Sequence, residues 1–184
     1  MATALKLMSV DEFLPWTQGR EGRWELHDGV PVMMSPEQFR HIRVKLRAAN
    51  ALQAGIDAAG LPCEAITDGL TIRIDADTAF EPDASVVCGP PRSDDTVSID
   101  DPMIVVEVLS PSTAAVDLSR KLRGYFSLPS VQHYLVIDPE RRTVIHHRRG
   151  QGGAVEKQTL REGLLRLDPP GFDVEIERLF VRTR

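Results

Sequence analysis

Cysteine is scarce in this chain of 184 residues: only Cys63 and Cys88 occur, far apart and in no metal-ligand spacing. A zinc cluster and a disulfide-dense mini-fold are thereby excluded, and the chain is long enough to bury roughly 70% of its unfolded surface without staples. The sequence opens without a charged-then-apolar leader, so the expectation is reduced thiols in a cytoplasmic setting. Long hydrophobic runs are missing too. No stretch approaches the roughly 18 apolar residues that a membrane-spanning helix needs. No Gly-rich loop of the Walker or dinucleotide type is present, and there is no internal repeat or low-complexity tract. Positive charge is in deficit, with a formal net charge of −5. That balance weighs against a non-specific nucleic-acid coat and leaves room for local basic surfaces.

What the chain does contain is a run of strand residues with one carboxylate in the middle, Ile104-Val105-Val106-Glu107-Val108-Leu109-Ser110-Pro111. Near-continuous apolar residues of this length describe a strand covered on both faces. An ionised carboxylate is rarely buried alone. Either Glu107 is paired inside the fold, or it stands where the strand opens into a cation site.

The rest of the chain supplies the surroundings. Ser9-Val10-Asp11-Glu12 has the form of a capping box and starts a short helix over residues 10 to 15. Residues 23 to 27 and 30 to 34 flank Asp28-Gly29, the signature of a two-residue hairpin. Ser35-Pro36 then opens a long helix over about 36 to 59, stopped by Gly60 and Pro62. Its three-four spacing puts Phe39, Ile42, Leu46, Ala49, Leu52 or Gln53, and Ile56 on the buried face and Arg40, Arg43, Lys45 and Arg47 on a basic outer surface. Strands follow at 65–66, 70–74 and 84–88, then an aperiodic loop at 89–101 and the Glu107 strand. Pro111-Ser112-Thr113 begins a helix that runs to about Ser127, with Leu118, Leu122 and Tyr125 or Phe126 buried. A strand at 132–137 and its hairpin partner at 143–147 come next, then short strands at 154–160 and 164–167 and a terminal helix at 174–180. This order describes one domain over 1–184, an α/β (α+β) fold around a mixed sheet.

Asp83 follows Pro82 at the mouth of one strand, and Glu107 lies inside the next. Sequential strands are usually neighbours, so the two carboxylates can share a cation; hard oxygen ligands suit magnesium or manganese rather than zinc. Taken alone, Asp83 also fits a turn residue and Glu107 half of a buried ion pair. On the second helix Asp117, Lys121 and Tyr125 share a face. Lys121 is there either a surface ion-pair partner of Asp117 or an ammonium over the end of the Glu107 strand.

Several motifs occur in one order: Trp24-Glu25-Leu26-x-Asp28-Gly29, Met34-Ser35-Pro36 with His41, Pro82-Asp83, Val106-Glu107-Val108-Leu109-Ser110-Pro111-Ser112-Thr113, Asp117 with Lys121 and Tyr125, and Tyr134-Leu135-Val136-Ile137-Asp138-Pro139. Over residues 9 to 148 this resembles the Uma-type restriction endonuclease family of the PD-(D/E)XK nuclease superfamily. The resemblance implies a restriction-endonuclease-like core over about 23–148, a mixed central sheet flanked by helices behind an N-terminal hairpin. It implies a Mg2+- or Mn2+-dependent endonuclease acting on nucleic acid, DNA first, in which Asp83, Glu107 and the Val108 carbonyl hold the metal. Lys121 would be the active-site lysine, with Glu25 and His41 adding to the site. A catalytically weak binding or regulatory module is the alternative, and a homodimer the assembly to test. One departure stands out: Leu109 occupies the position two after the Glu where the superfamily keeps its lysine, and Lys121 fits a lysine supplied from the next helix instead.

Overall fold

A computed structural model describes residues 7–110 and 115–180. The expected capping box is formed: the Ser9 hydroxyl accepts from the Glu12 amide, the Glu12 carboxylate accepts from the Ser9 amide, and α1 (Val10–Thr17) follows. Asp28 and Gly29 both take positive φ, 50° and 79°, as a tight primed turn requires, and join β1 (Trp24–His27) to β2 (Val30–Met33). Then come α2 (Phe39–Ala59), β3 (Cys63–Thr67), β4 (Thr71–Arg73), β5 (Ala79–Phe80), β6 (Ala84–Cys88), β7 (Ser98–Ile99) and β8 (Ile104–Val108). They are followed by α3 (Ala115–Ser127), β9 (His133–Asp138), β10 (Thr143–Arg149), β11 (Val155–Leu160), β12 (Leu164–Leu167) and β13 (Phe172–Glu175). The expected helix start at Pro111-Ser112-Thr113 lies outside the described residues, as does the side chain of Asp117.

The central sheet has six strands in the order β11-β10-β9-β8-β6-β3, with β8 and β9 parallel and the other pairs antiparallel. A second sheet, β2-β1-β5-β4-β7, carries the hairpin. All five residues of β8 are buried. Ile104, Val106 and Val108 pack with Val44, Ala48, Leu52 and Ile56 of α2, whereas Val105 packs with Tyr125 of α3. Strand alternation therefore turns Glu107 toward α3. Asp83, one residue before β6, shares that parity with Val87, which belongs to the α3 cluster.

α2 differs from expectation. It begins at Phe39 rather than at Pro36, because Gln38 and not Ser35 occupies the cap. Phe39, Ile42 and Leu46 are 68%, 44% and 55% exposed, while His41, Val44, Lys45, Ala48, Leu52 and Ile56 are buried. The inward stripe runs 41, 45, 48, 52 and 56, and its first two members are polar because that end of the helix faces carboxylates. Reading apolar periodicity alone selected the neighbouring stripe for the first three turns. Burial of Val44, Leu52 and Ile56 contributes about 1.5–3 kcal/mol each.

The tail is not one helix over 174–180: Val174 and Glu175 belong to a strand, and only Ile176–Leu179 turns as a short 3-10 helix. β12 and β13 form a hairpin whose Leu165, Leu167, Phe172 and Val174 complete the α2 side of the core, followed by a 3-10 turn at Ile176–Leu179. Gly55 makes room for it, since a Cβ there would lie 2.5 Å from the Phe172 ring. The two cysteines face each other in register across β3 and β6 and form a disulfide, which corrects the expectation of reduced thiols. Their sequence separation concealed that pairing of strands. No helix among the described residues is long and apolar enough to cross a membrane.

A chain of neutral groups closes the far side of the sheet. Gln158 Nε2 donates to His146 Nδ1 at 2.9 Å, His146 and His133 share a 2.8 Å contact, and His133 Nε2 donates to the Pro169 carbonyl at 2.8 Å. Every ring nitrogen has one role in this chain, so adding a proton sets two N–H groups against each other. Burial, the largest cause, lowers both histidines to a pKa of about 4. The unfolded chain, with histidines near 6.5, binds more protons between these values, so stability must fall as pH drops from about 6.5 to 4. Thermal unfolding should show Tm declining through this window in the wild type. His146→Gln should flatten the decline.

Candidate active site

Asp83 is held by four contacts at the mouth of β6. Its Oδ2 accepts from the Val108 amide at 2.7 Å, its Oδ1 contacts His41 Nε2 at 3.0 Å and Lys45 Nζ at 3.7 Å, and its own amide donates to the Val106 carbonyl at 3.1 Å. Burial opposes ionisation, yet the hydrogen bond and charge of His41 and the Val108 amide outweigh it and hold the carboxyl below its usual range. Glu107 is in the opposite condition. Burial, with Asp83 and Glu25 nearby, pushes it up to about 8 although Lys121 pulls the other way. Its Oε1 accepts from Lys121 Nζ at 3.0 Å and from the Tyr125 hydroxyl at 2.8 Å. Tyr125 itself is driven well above its ordinary value, by burial first, and stays a donor.

Lys121 bridges to the hairpin. Its ammonium lies 2.9 Å from Glu25 Oε1, which also accepts from the Glu81 amide, while Glu25 Oε2 contacts His27 Nε2 at 2.9 Å. Burial disfavours the charge, but Lys121 and His27 bring Glu25 down to about 2. Gly124 allows α3 to come this close: a Cβ at that position would stand 2.7 Å from the Phe80 ring.

The structure thus brings Asp83, Glu107, Lys121, Glu25 and His41 into one connected set. Val108 contributes its amide, to Asp83. Lys45, expected on a basic outer surface, is instead 5% exposed and inside this set, bonded to both oxygens of Glu37 and to Asp68 at 2.9 Å. Lys121 is likewise only 4% exposed, with its ammonium on the Glu107 carboxyl. Arg23 closes the network by pairing with Glu37, Asp68 and Glu81. Sequence reasoning missed Lys45, Glu37, Asp68 and Arg23. A signal existed for Lys45, which stands one helical turn after His41 and so had to share its direction.

Among the described residues, six carboxylates, Glu25, Glu37, Asp68, Glu81, Asp83 and Glu107, share the three permanent cations Arg23, Lys45 and Lys121. Burial first, and then the neighbouring Asp83 and Glu25, raise the pKa of Glu107 against the pull of Lys121. Glu37, His41 and Asp83 present ligand atoms within 4.8 Å of one another, a geometry that can hold a metal ion among the described residues. Hard oxygen donors with a single imidazole, in a site short of positive charge, fit a divalent cation.

The chain matches the model of the Uma2 family, described as "putative restriction endonuclease", over residues 10–180. The chain belongs to the Uma2 family. It is 34% identical over 131 residues to the uncharacterized protein slr1290 of Synechocystis, covering 71% of this chain and 68% of that one. A second Synechocystis protein, the uncharacterized sll1609, is 24% identical over 136 residues, covering 72% and 76%. The fold matches the crystal structure of a protein from Anabaena variabilis described as a "putative nuclease belonging to DUF820", with a TM-score of 0.74, 20% identity, and 94% and 97% of the two chains covered. The Uma2 core is therefore the restriction-endonuclease-like α+β fold that the sequence motifs implied.

The charge pattern distinguishes two substitutions. Glu107 prefers its proton, so its ionised form weakens the fold: its contribution is complete below about pH 4.5 and is lost as pH rises through 8. Glu107→Gln, measured by denaturant unfolding without divalent ions at pH 8, should match or exceed the wild type by on the order of 1 kcal/mol. Lys121→Met strands Glu25 and Glu107 and should cost about 3–5 kcal/mol.

Proposed function

We propose that this Uma2 protein is a divalent-metal-dependent endonuclease that hydrolyses phosphodiester bonds of nucleic acid, DNA first. The observation that carries the reading is the deficit of positive charge around two buried carboxylates at adjacent strands, Asp83, held ionised by His41 and the Val108 amide, and Glu107, held toward its protonated form by burial first and then by Asp83 and Glu25. A bound Mg2+ or Mn2+ would supply an acidified water and a polarised phosphoryl oxygen. Asp83 would hold it, either with Glu107 and the Val108 carbonyl, as the motif order implies, or with Glu37 and His41, whose ligand atoms lie within 4.8 Å of its own.

The residues of the chain would divide the remaining work. Asp83 is kept ionised by His41 and the Val108 amide, so it is ready as a ligand. Glu107 has to shed its proton to act as one, and Lys121 and Tyr125 are already aimed at its Oε1 to favour the anion. Lys121 also keeps Glu25 as a partner, so its ammonium can lean toward charge developing on a phosphate without leaving either carboxylate bare. Lys45 keeps Glu37 and Asp68 if it withdraws from Asp83.

One specific observation favours a second reading, a binding or regulatory module with little turnover. Each lysine is engaged by at least two carboxylates, which leaves the site closed on itself. Incubating the protein with supercoiled plasmid and with RNA, in Mg2+ and separately in Mn2+, separates the two. The nuclease reading expects nicking that Asp83→Ala and Glu107→Gln each reduce at least ~100-fold, the scale of removing one electrostatic element of an active site. Tight nucleic-acid binding without cleavage supports the module, and equal cleavage by the variants overturns the site. The same preparation, examined by sedimentation, tests whether the acting form is a homodimer.

A further inference from the structure

The hairpin motif leaves one position open, and His27 fills it. In β1 it shares strand parity with Glu25, so both side chains leave the same face of the hairpin sheet. Two consecutive basic residues of α3, Arg120 and Lys121, reach that face. Lys121 Nζ stands 2.9 Å from Glu25 Oε1, and an Arg120 guanidinium nitrogen contacts His27 Nδ1 at 3.2 Å. A third contact runs along the strand, from His27 Nε2 to Glu25 Oε2 at 2.9 Å, and links the two rungs.

The direction of each bond follows from the donors. A guanidinium only donates, so the Nδ1 that meets Arg120 accepts, and Nε2 carries the N–H that Glu25 receives. Glu25 Oε1 accepts from the Glu81 amide at 3.0 Å as well as from Lys121. The end torsion of a glutamate is soft, and a carboxylate held at one oxygen can turn about it. With His27 on the second oxygen, the plane of Glu25 is fixed. The imidazole is fixed in its turn. Its side chain is only 12% exposed, and its ring meets Phe80 edge-on with centroids 5.3 Å apart. Phe80 is also the ring against which Gly124 seats α3. Arg120 stands at the rim, with Asp28 Oδ2 at 3.4 Å as its other partner.

We propose that His27 is a positioning residue for Lys121: it holds Glu25 Oε1 toward the ammonium and so sets where that ammonium stands beside Glu107, while Arg120 selects the tautomer that does this. The consequence for catalysis rests on the nuclease reading above; the positioning itself does not. Glu25 and Glu107 flank the ammonium at 2.9 and 3.0 Å. Once Glu25 is free to turn, Lys121 follows Glu107 alone, and the charge meant for a phosphate is displaced. His27 acts through Glu25 and touches no reacting group.

The test has one arm without turnover and one with it. The chain has four lysines, and the Lys121 ammonium lies 5.8 Å from the Phe80 ring centroid, which identifies its resonance in 15N-labelled protein. H27L should shift or broaden the Lys121 signal and leave that of Lys45, which is held by Glu37 and Asp68 instead. H27Q, whose amide nitrogen can donate from the place of Nε2, should restore it. In plasmid nicking with Mg2+ or Mn2+, H27L should lower kcat about tenfold with KM changed less than about twofold, and H27Q should recover to within about threefold of wild type. An unmoved Lys121 signal, equal disturbance of Lys45, or an unchanged kcat in H27L overturns the positioning role and leaves the nuclease reading standing. Should H27L fail to fold, R120M takes its place. It leaves β1 intact and frees the tautomer, so it must move the Lys121 signal, and no movement overturns the proposal. If the wild type nicks nothing, the nuclease reading fails, and a selective shift of Lys121 still supports the positioning while its absence overturns it.

Discussion

Burying Glu107 in the middle of a sheet is the constraint to which the neighbouring elements answer. A carboxylate on a fully covered strand cannot be hydrated, and its neighbours on either side, Asp83 and Glu25, are carboxylates as well. The fold meets this in two ways. Part of the cost is avoided by keeping Glu107 protonated, and part is offset by Lys121 and the Tyr125 hydroxyl converging on one oxygen. Those two donors come from successive turns of α3, so the helix must lie close over the sheet and in one rotation. The front hairpin is drawn in by the same lysine, since Glu25 is its other partner. Sheet, helix and hairpin are thus tied through one ammonium.

Most of this was legible in the residues because the local rules agreed with the global fold. Asp28-Gly29 announced the hairpin, Ser9 and Glu12 the first cap, and the apolar run around Glu107 a doubly covered strand. Reading failed where polarity and burial part company. Lys45 looked like solvent-facing charge and Phe39, Ile42 and Leu46 like core, because hydrophobic periodicity assumes that the inward stripe is apolar along its whole length. At a site the inward stripe is polar, and the rule inverts. Strands of two residues such as β5 and β7 carry no period at all, and the pairing of Cys63 with Cys88 depends on which strands become neighbours. In the tail, Val174 to Phe180 had helical spacing but too few residues to outweigh the hairpin packing against α2.

The displaced lysine also has a geometric account. Residues 107 and 109 share strand parity, so a lysine at 109 would have pointed to the α3 side of the sheet, the side on which Lys121 arrives. Leu109 instead packs into the apolar cluster beneath α3. The charge reaches the same side of the sheet from the helix above, and the side chain beneath serves to seat that helix. Lysine and leucine have exchanged tasks across one layer of packing.

That exchange gives the absent side chain of Gly124 an unexpected weight. A lysine on a strand is fixed by the sheet's own ladder, whereas a lysine on a helix rides with a rigid body whose height is set by what lies underneath. Here that height is set by bare backbone against the Phe80 ring. Anything that wedges this seam open lifts Lys121 and Tyr125 together, leaving Glu25 without its ammonium and Glu107 without both donors. The seam is therefore a lever on the chemistry that touches none of the reacting groups, and it could be worked by a small molecule as readily as by a methyl group.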